Sequence, residues 1–362
     1  MIRTYKRKLI INKEQEKRIN SWIGACRCVY NMSLEIQISA KKAGFPYVNK
    51  YELMRQLTTI KDIAWISDVP SQSLQNAVER LDRSYKSFFG GGGFPKFAAK
   101  RKYKSILIKS IKITNGIVTV PKIGSVKFFK DSEIIGIPKT ATIKKEPTGY
   151  FICIVCDNVP KKFDSENQTI GLDMGLSHFC VDSNGGFISN PKHFKKYERQ
   201  LRIENRSLAR KKKGSNSWKK QAKRLSLLHH KIGNVRRDFL HKESTRIAKS
   251  NSIVCLEDLN IVGMARNGNL SKHILDAGWG LFRTMLEYKT AVVRVNPKHT
   301  SQACSKCGHV DSVSRLSQSN FTCTNCGHSE NADVNAAKNI LRKGIALGRQ
   351  REPTGCALTL NL

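Results

Sequence analysis

Between residue 13 and about residue 40, Ile19, Ile23, Val29, Leu34 and Ile38 recur at roughly helical spacing and leave most intervening positions to polar or charged side chains. That pattern predicts an amphipathic helix. A second helical pattern follows Pro70, with Ser71 placed to cap it and Leu74, Val78, Leu81, Tyr85 and Phe88 along one face. The two predict a small helical subdomain. Gly90 to Gly93 then interrupt it; without a following Lys and Ser or Thr, four glycines predict a flexible turn and not a phosphate-cradling loop.

From Lys104 to Asn158 the period changes. Short β-rich runs, ILIKSIKI, IVTVP, SVKFF, ATIKK and YFICIVC, are separated by Asn115-Gly116, Gly124, Pro138 and Thr148-Gly149, which predicts an antiparallel sheet or small barrel. From Thr169, TIGLDMGLSHFCVDSNGGFIS predicts two strands joined by the turn residues Ser183 to Gly186. Helical texture returns over 192–249. The apolar run SIVCLEDL, 252–259, then predicts a strand ending in two carboxylates. A helix around Gly280–Tyr288, a short strand Val292–Val295, a cysteine-rich module Cys304–Cys326 and a last helix from about Ala332 to Arg342 complete the order.

Charge narrows the function. The 362 residues carry 64 Lys or Arg against 28 Asp or Glu, a formal net charge of +36. Such a surplus excludes most small-molecule metabolism as a first reading and calls for a polyanionic partner, because neutralised phosphates release counterions. An anionic membrane surface is the weaker reading: no stretch approaches the roughly 18 apolar residues of a span, and Leu9–Ile11 is too short for a signal-peptide core. A cytoplasmic, nucleoid-associated protein is expected. Its eleven cysteines are odd in number and lack a signal peptide, so reduced thiols and metal are favoured over disulfides.

Cys304-Ser-Lys-Cys307 and Cys323-Thr-Asn-Cys326 enclose 15 residues, and each pair is followed by Gly-His. Two such knuckles fold a hairpin that brings four thiolates around one structural Zn²⁺. Gly308 and Gly327 suit the bend after each knuckle, and His309 and His328 lie outside a shell already closed by sulfur. Cys153 and Cys156 also read CxxC, but inside FICIVC they are strand cysteines facing opposite sides.

Three carboxylates stand out: Asp173 within the apolar strand GLDMGL, Glu257 ending IVCLE, and Asp333 opening ADVNAAKNIL. A carboxylate in an apolar strand is costly unless compensated, and a bound cation is the usual compensation. Three of them suffice for two Mg²⁺ ions about 4 Å apart serving phosphodiester hydrolysis. Taken singly, each has another reading: Asp333 as a helix cap, Glu257 as a surface strand end, Asp173 as the partner of an Arg.

The order GLDMGL, CLEDLN, CxxC…CxxC, NADVNAAKNIL, together with RTYKRKL, CRCVYN, VPSQSLQ, FPKF, RRDFLH, DAGWG and TSQACSKCG, resembles TnpB, the RNA-guided nuclease of bacterial and archaeal insertion sequences, related to type V CRISPR effectors. The resemblance spans nearly the whole chain. It implies that Asp173, Glu257 and Asp333 are a RuvC-type catalytic triad on an RNase H-like fold, with the zinc ribbon between the second and third acids. It further implies an α+β multidomain architecture: a β-barrel-like wedge domain (1–10 and 100–165), a helical recognition insert (11–99), the nuclease domain (166–300 and 331–362) and the ribbon (301–330). A transposon-derived guide RNA and double-stranded target DNA beside a short motif are the implied partners of a monomer. One departure is visible: LEYKTAVVRVNP runs from helix to strand with a shorter connection than the family usually has.

Residues 192–249 hold 20 Lys or Arg against 4 Asp or Glu, a surplus of 16. Arg210, Lys211, Lys212, Lys213, Lys219, Lys220, Lys223, Arg224, Arg236 and Arg237 are the candidate contacts, and the resemblance implies a guide RNA–DNA heteroduplex along them. Lys96, Lys100 and Arg101, interleaved with Phe97 and near Tyr103, form a second patch. Two other readings stay open: a nuclease-silent RNA-guided repressor, and an RNA-independent transposase-type nuclease, whose acids typically run Asp, Asp, Glu.

Overall fold

The computed structural model describes residues 2–60, 62–109, 111–159, 168–266, 268 and 270–350. The chain divides into two compact units, 1–160 and 161–362. The expected domain edge at 165 and 166, the tail 351–362 and Cys356 lie outside the described residues.

In the first unit, β1 (Arg3–Ile10) alternates, burying Tyr5, Arg7 and Leu9. The buried Arg7 guanidinium is compensated by Asp131 at 2.8 Å and by Ser132. Helix α1 (Lys13–Lys42) begins in a capping box: Asn12 Oδ1 accepts the Gln15 N–H at 2.8 Å and Gln15 Oε1 accepts the Asn12 N–H at 3.1 Å. Its buried face holds the expected Ile19, Ile23, Val29 and Leu34 plus Trp22, while Ile38 is only half-buried. Short helices α2 (Lys50–Gln56) and α3 (Ala64–Ser67) lead to α4 (Ser71–Phe89), which buries Leu74, Val78, Leu81 and Tyr85. Ser71 does not cap α4: it is already the first helical residue, Pro70 holds the cap position, and no side chain bonds the helix end.

Strands β2 (Ser105–Ile108), β3 (Lys112–Thr114), β4 (Ile117–Val120), β5 (Gly124–Phe128), β6 (Ile137–Glu146) and β7 (Gly149–Asp157) join β1 in one antiparallel sheet of order β2-β6-β7-β1-β5-β4-β3. The N-terminal strand thus sits in the middle, pairing Arg3 with Cys156 on one side and Leu9 with Phe128 on the other. Among the described residues no ladder joins β2 to β3, so the expected barrel is, in its hydrogen bonding, an open sheet. Cys156 is buried and Cys153 half-buried on the alternate face.

In the second unit, β8 (Thr169–Met174), β9 (His178–Asp182) and β10 (Phe187–Ser189) form an antiparallel meander. The stretch expected as two strands is therefore three, because residues 175–177 also turn the chain. A helical pair follows, α5 (His193–Ala209) and α6 (Asn216–Ser250), the latter capped by Ser215, whose Oγ accepts the Trp218 N–H. Next come β11 (Ile253–Glu257), α7 (Ile261–Arg266), α8 (Ser271–Ala277), α9 (Trp279–Glu287), β12 (Ala291–Val295), β13 (Asn320–Thr322), β14 (Ser329–Asn331) and α10 (Ala332–Gln350). The sheet order is β10-β9-β8-β11-β12, with β8, β11 and β12 parallel.

Parallel strands are buried on both faces, which accounts for the unbroken apolar run at β11. Val254 and Leu256 join the core that contains Phe179, Leu240 and Phe282, while Cys255 joins Val295 and Ile340 of α10 on the other face. The short connection from α9 to β12 is fastened by buried Lys289, whose Nζ donates to Ser244 Oγ at 2.6 Å and Thr245 Oγ1 at 2.8 Å.

Helix α10 lies unusually close to the sheet. A Cβ at Gly171 of β8 would overlap the Ala337 carbonyl, and one at Gly344 of α10 would overlap Cys255. Gly171→Ala is accordingly expected to destabilise the unit by about 2–3 kcal/mol, whereas Gly233→Ala, inside α6 with nothing within 4 Å, should stabilise it by about 0.5–1 kcal/mol; thermal melts of the two variants check the contrast.

Candidate active site and nucleic-acid surface

The three acids arrive from separate elements: Asp173 near the end of β8, Glu257 at the end of β11, Asp333 in the first turn of α10. Asp173 and Asp333 line one cleft of about 210 Å³ with Arg315 and Gln318. Glu257 borders a smaller apolar cavity that also includes Met174 and Trp279. Burial first, then the charges of Glu257 and Asp333, push the Asp173 carboxyl up to about 7. Burial likewise raises Glu257, against the hydrogen bond from Thr300.

The simpler readings of each acid meet specific contacts. Asn331, not Asp333, caps α10: its Oδ1 accepts the Asp333 N–H at 3.0 Å and the Val334 N–H at 3.3 Å. Of the two carboxylates ending β11, Asp258 turns to Arg283 at 3.1 Å and Arg294 at 3.6 Å, while Glu257 accepts the Thr300 hydroxyl at 2.5 Å. Arg315 lies 3.3 Å from Asp333, not paired to Asp173. What remains is a desolvated carboxylate facing two others, a donor set that suits hard divalent cations.

The four cysteines form a tighter group. Among the described residues they are the one set of three or more candidate ligands whose donor atoms all lie within 4.8 Å of one another; the three acids do not meet that distance. Cys304 and Cys326 Sγ are 3.7 Å apart and Cys307 and Cys323 Sγ 3.6 Å apart. A tetrahedral ion with bonds of about 2.3 Å sets its sulfurs about 3.8 Å apart, so the cluster has the dimensions of a closed thiolate shell. Each knuckle repeats the same bonds: Cys304 N–H to His309 O and Gly308 N–H to Cys304 O, both 2.9 Å, then Cys323 N–H to His328 O at 2.9 Å and Gly327 N–H to Cys323 O at 3.0 Å. Gly308 and Gly327 have φ of +80° and +66°, the left-handed turn that their position required. Neither His309 nor His328 belongs to the cluster.

Sequence reasoning did not single out the residues that tie these parts together. Asn335 Oδ1 accepts the Ser305 N–H and its amide donates to Ala303 O, both at 2.8 Å; one turn on, the Asn339 amide donates to Thr300 O at 3.0 Å and Ala303 O at 2.6 Å. The signal was present as buried Asn at i and i+4 on an apolar helix face. Arg315, Gln318 and Thr300 had no local signal, since their partners lie far off in sequence.

The basic candidates separate by environment. Arg210, Lys212 and Lys213 are exposed, and Lys211 half-buried, in the loop between α5 and α6. Lys219, Lys220, Lys223 and Arg224 are exposed on α6, and three- and four-residue spacing gathers them on one side. Among the described residues none of these eight is in an ion pair, and Arg237 is exposed as well. Arg236 differs: it sits 2.6 Å from buried Asp276, which also accepts the Phe194 N–H, so it braces the fold and is not displayed as expected. In the first unit, Lys96, Lys100 and Arg101 are exposed and Phe97 is half exposed, whereas Tyr103 packs on Tyr30 and under Arg80.

Three family models match the chain: “Probable transposase” over residues 152–268, “Cas12f1-like, TNB domain” over 279–340 and “Helix-turn-helix domain” over 1–44. The last stretch is here one strand and one 30-residue helix. The chain is 32% identical to “Putative RNA-guided DNA endonuclease InsQ” of Escherichia coli (strain K12), covering 96% of this chain and 93% of that protein. It is 30% identical to “Putative RNA-guided DNA endonuclease” of Streptomyces pristinaespiralis, covering 95% and 90%. Among solved structures, the “Cryo-EM structure of the Cas12f1-sgRNA-target DNA complex” has a chain that matches with a TM-score of 0.58 at 13% identity, covering 94% and 98%, a likeness of fold.

Because Asp173 holds its proton up to about 7 in the fold but only to about 3.8 when exposed, raising the pH between those values withdraws a proton that the folded state favours and lowers stability. The penalty is complete above about 7 and absent below about 3.8. Asp173→Asn is therefore expected to raise the melting temperature of the metal-free protein by about 2–4 °C at pH 8 and to leave it unchanged at pH 4, as scanning calorimetry at the two pH values would test.

Proposed function

Since the chain belongs to the family of RNA-guided DNA endonucleases that includes InsQ, we propose that it hydrolyses DNA phosphodiesters at one RuvC-type site built from Asp173, Glu257 and Asp333. The observation that carries this reading is that Asp173 of β8 and Asp333 of α10 share one cleft, while the charge of Glu257 at the end of β11 reaches buried Asp173 and, with that of Asp333, raises it. Those residues would hold magnesium as two ions, which when bound supplies activation of water and stabilisation of the leaving oxygen. Thr300 fixes one oxygen of Glu257, and Arg315 offsets the charge of Asp333. Cys304, Cys307, Cys323 and Cys326 would hold structural zinc.

Specificity comes from elsewhere. A guide RNA encoded by the transposon pairs with the target, the protein grips the heteroduplex by backbone and shape, and a short adjacent motif licenses opening. The loop at 210–213 and the α6 face with Lys219, Lys220, Lys223 and Arg224 are the proposed grip, since their charges are exposed and uncompensated. The intact acid set in the order Asp, Glu, Asp argues against both a silent repressor and a transposase-type nuclease.

With guide RNA, matched DNA and Mg²⁺, Asp173→Ala is expected to lose cutting by at least about 10³-fold while retaining target binding in a gel shift. Wild-type protein that binds without cutting would sink the nuclease reading.

Reversing Lys219, Lys220, Lys223 and Arg224 to Glu should flatten the dependence of log K on log salt by about 3.6, since each of the four phosphates left without its cation removes about 0.9 from the slope. Cys307→Ser should instead lower thermal stability and leave that slope unchanged; equal slopes for both variants would refute this division of labour.

A further inference from the structure

A second cleft, of about 230 Å³, shares Leu176 and Ser177 with the acid-lined cleft and is otherwise lined by Asn190, Lys192, Lys195, Leu270, His273 and Asp276. One short turn between β8 and β9 is thus the common wall of a carboxylate cleft and a cationic one. The single carboxylate of the second cleft does not offset its lysines. Asp276 Oδ1 is 2.6 Å from Arg236 Nη2, and Oδ2 accepts the Phe194 N–H at 2.8 Å. Lys192 and Lys195 are exposed and make no ion pair among the described residues.

The cationic wall is fastened to the acid site. Asn190 donates its amide to Leu176 O at 2.8 Å and accepts the Lys192 N–H at 3.1 Å. Lys192 itself sits at φ +47°, a left-handed conformation that costs a lysine about 1 kcal/mol and persists only where neighbours enforce it. The place of this residue relative to the β8–β9 turn is therefore held by bonds on both sides.

We propose that this cleft is a subsite for the backbone phosphates that flank the scissile bond on the DNA strand being cut, with Lys192 and Lys195 neutralising them and His273 lining their path. The inference rests on the nuclease reading above. The acids repel a phosphate, so the electrostatic hold on the strand must come from groups beside them. The shared turn sets this cleft directly beside the acid site, which selects the strand being cut over a free anion or the guide RNA.

The test uses the full protein–guide RNA complex, matched DNA and Mg²⁺ under single-turnover conditions. Neutral methylphosphonates replace, one at a time, the phosphates within three nucleotides of the cut. Lys192→Gln with Lys195→Gln is expected to slow cutting about tenfold with target binding unchanged. At one or two flanking positions the methylphosphonate should slow the wild type by a similar factor and leave the variant unaffected, as expected for groups in mutual contact. Lys195→Gln alone, on the exposed face of α5, provides the same comparison if the double variant folds poorly. Wild-type cutting rates in the variants, or equal methylphosphonate effects in wild type and variants, overturn the subsite. A wild-type complex that does not cut overturns both this inference and the nuclease reading.

Discussion

The second unit is organised by how closely helix α10 approaches the sheet. Glycine at 171 and at 344 removes the side chains that would hold the helix away, since a Cβ at either point would overlap Ala337 or Cys255. Asp333 stands in the first turn of that helix, so the same approach brings its carboxylate into one cleft with Asp173. The consequence extends further. Asn335 and Asn339, one turn apart, bind the backbone of 300–305, and Thr300 in turn holds Glu257. Two missing side chains thus set the positions of two acids and of the root of the cysteine module.

The arrangement is strained electrostatically, and its neighbours share the load. Burial and the charges of Glu257 and Asp333 raise the proton affinity of Asp173, and Arg315 beside Asp333 supplies a cation. Removing Glu257 or Asp333 would therefore relieve Asp173. Lys343, on α10, lies close enough to Glu257 to lower its proton affinity, while its own amine is held by Lys298 O and Asn296 O. The helix that brings in an acid also brings in a partial counter-charge.

Much of this was legible where one residue type meets one local constraint. Asp173 and Glu257 were visible because a carboxylate in an apolar strand has few explanations, and the cysteines because a paired CxxC spacing has fewer still. The capping box at Asn12 and Gln15 carries an equally local signal. Contacts between distant segments were not legible. Arg236 looks like its neighbour Arg237 in sequence, and only Asp276, 40 positions on, separates a brace from a surface charge. Arg315 and Thr300 carry no pattern at all. Ser71 misled for a different reason: proline before it takes the cap position, moving serine inside the helix. The extra strand at β9 was hidden because Gly175 and Ser177 make a turn without a long polar run.

The distribution of charge follows from these constraints. Residues 298–330 hold 3 Lys or Arg against 2 Asp or Glu, while 192–249 hold 20 against 4. A module that gathers four cysteines beside Asp333 already has its local charge set by those groups, and added lysines there would pair with them. The helical pair faces no such limit. Its buried side is fixed by Leu201, Leu228 and Ile232, and its outer side carries Lys219, Lys220, Lys223 and Arg224, which make no ion pair among the described residues. After the β8–β10 meander the basic run of this unit starts at Lys192 and continues along the hairpin. Of the surplus of +36, 16 falls on residues 192–249, the segment that contains the surface proposed to grip nucleic acid.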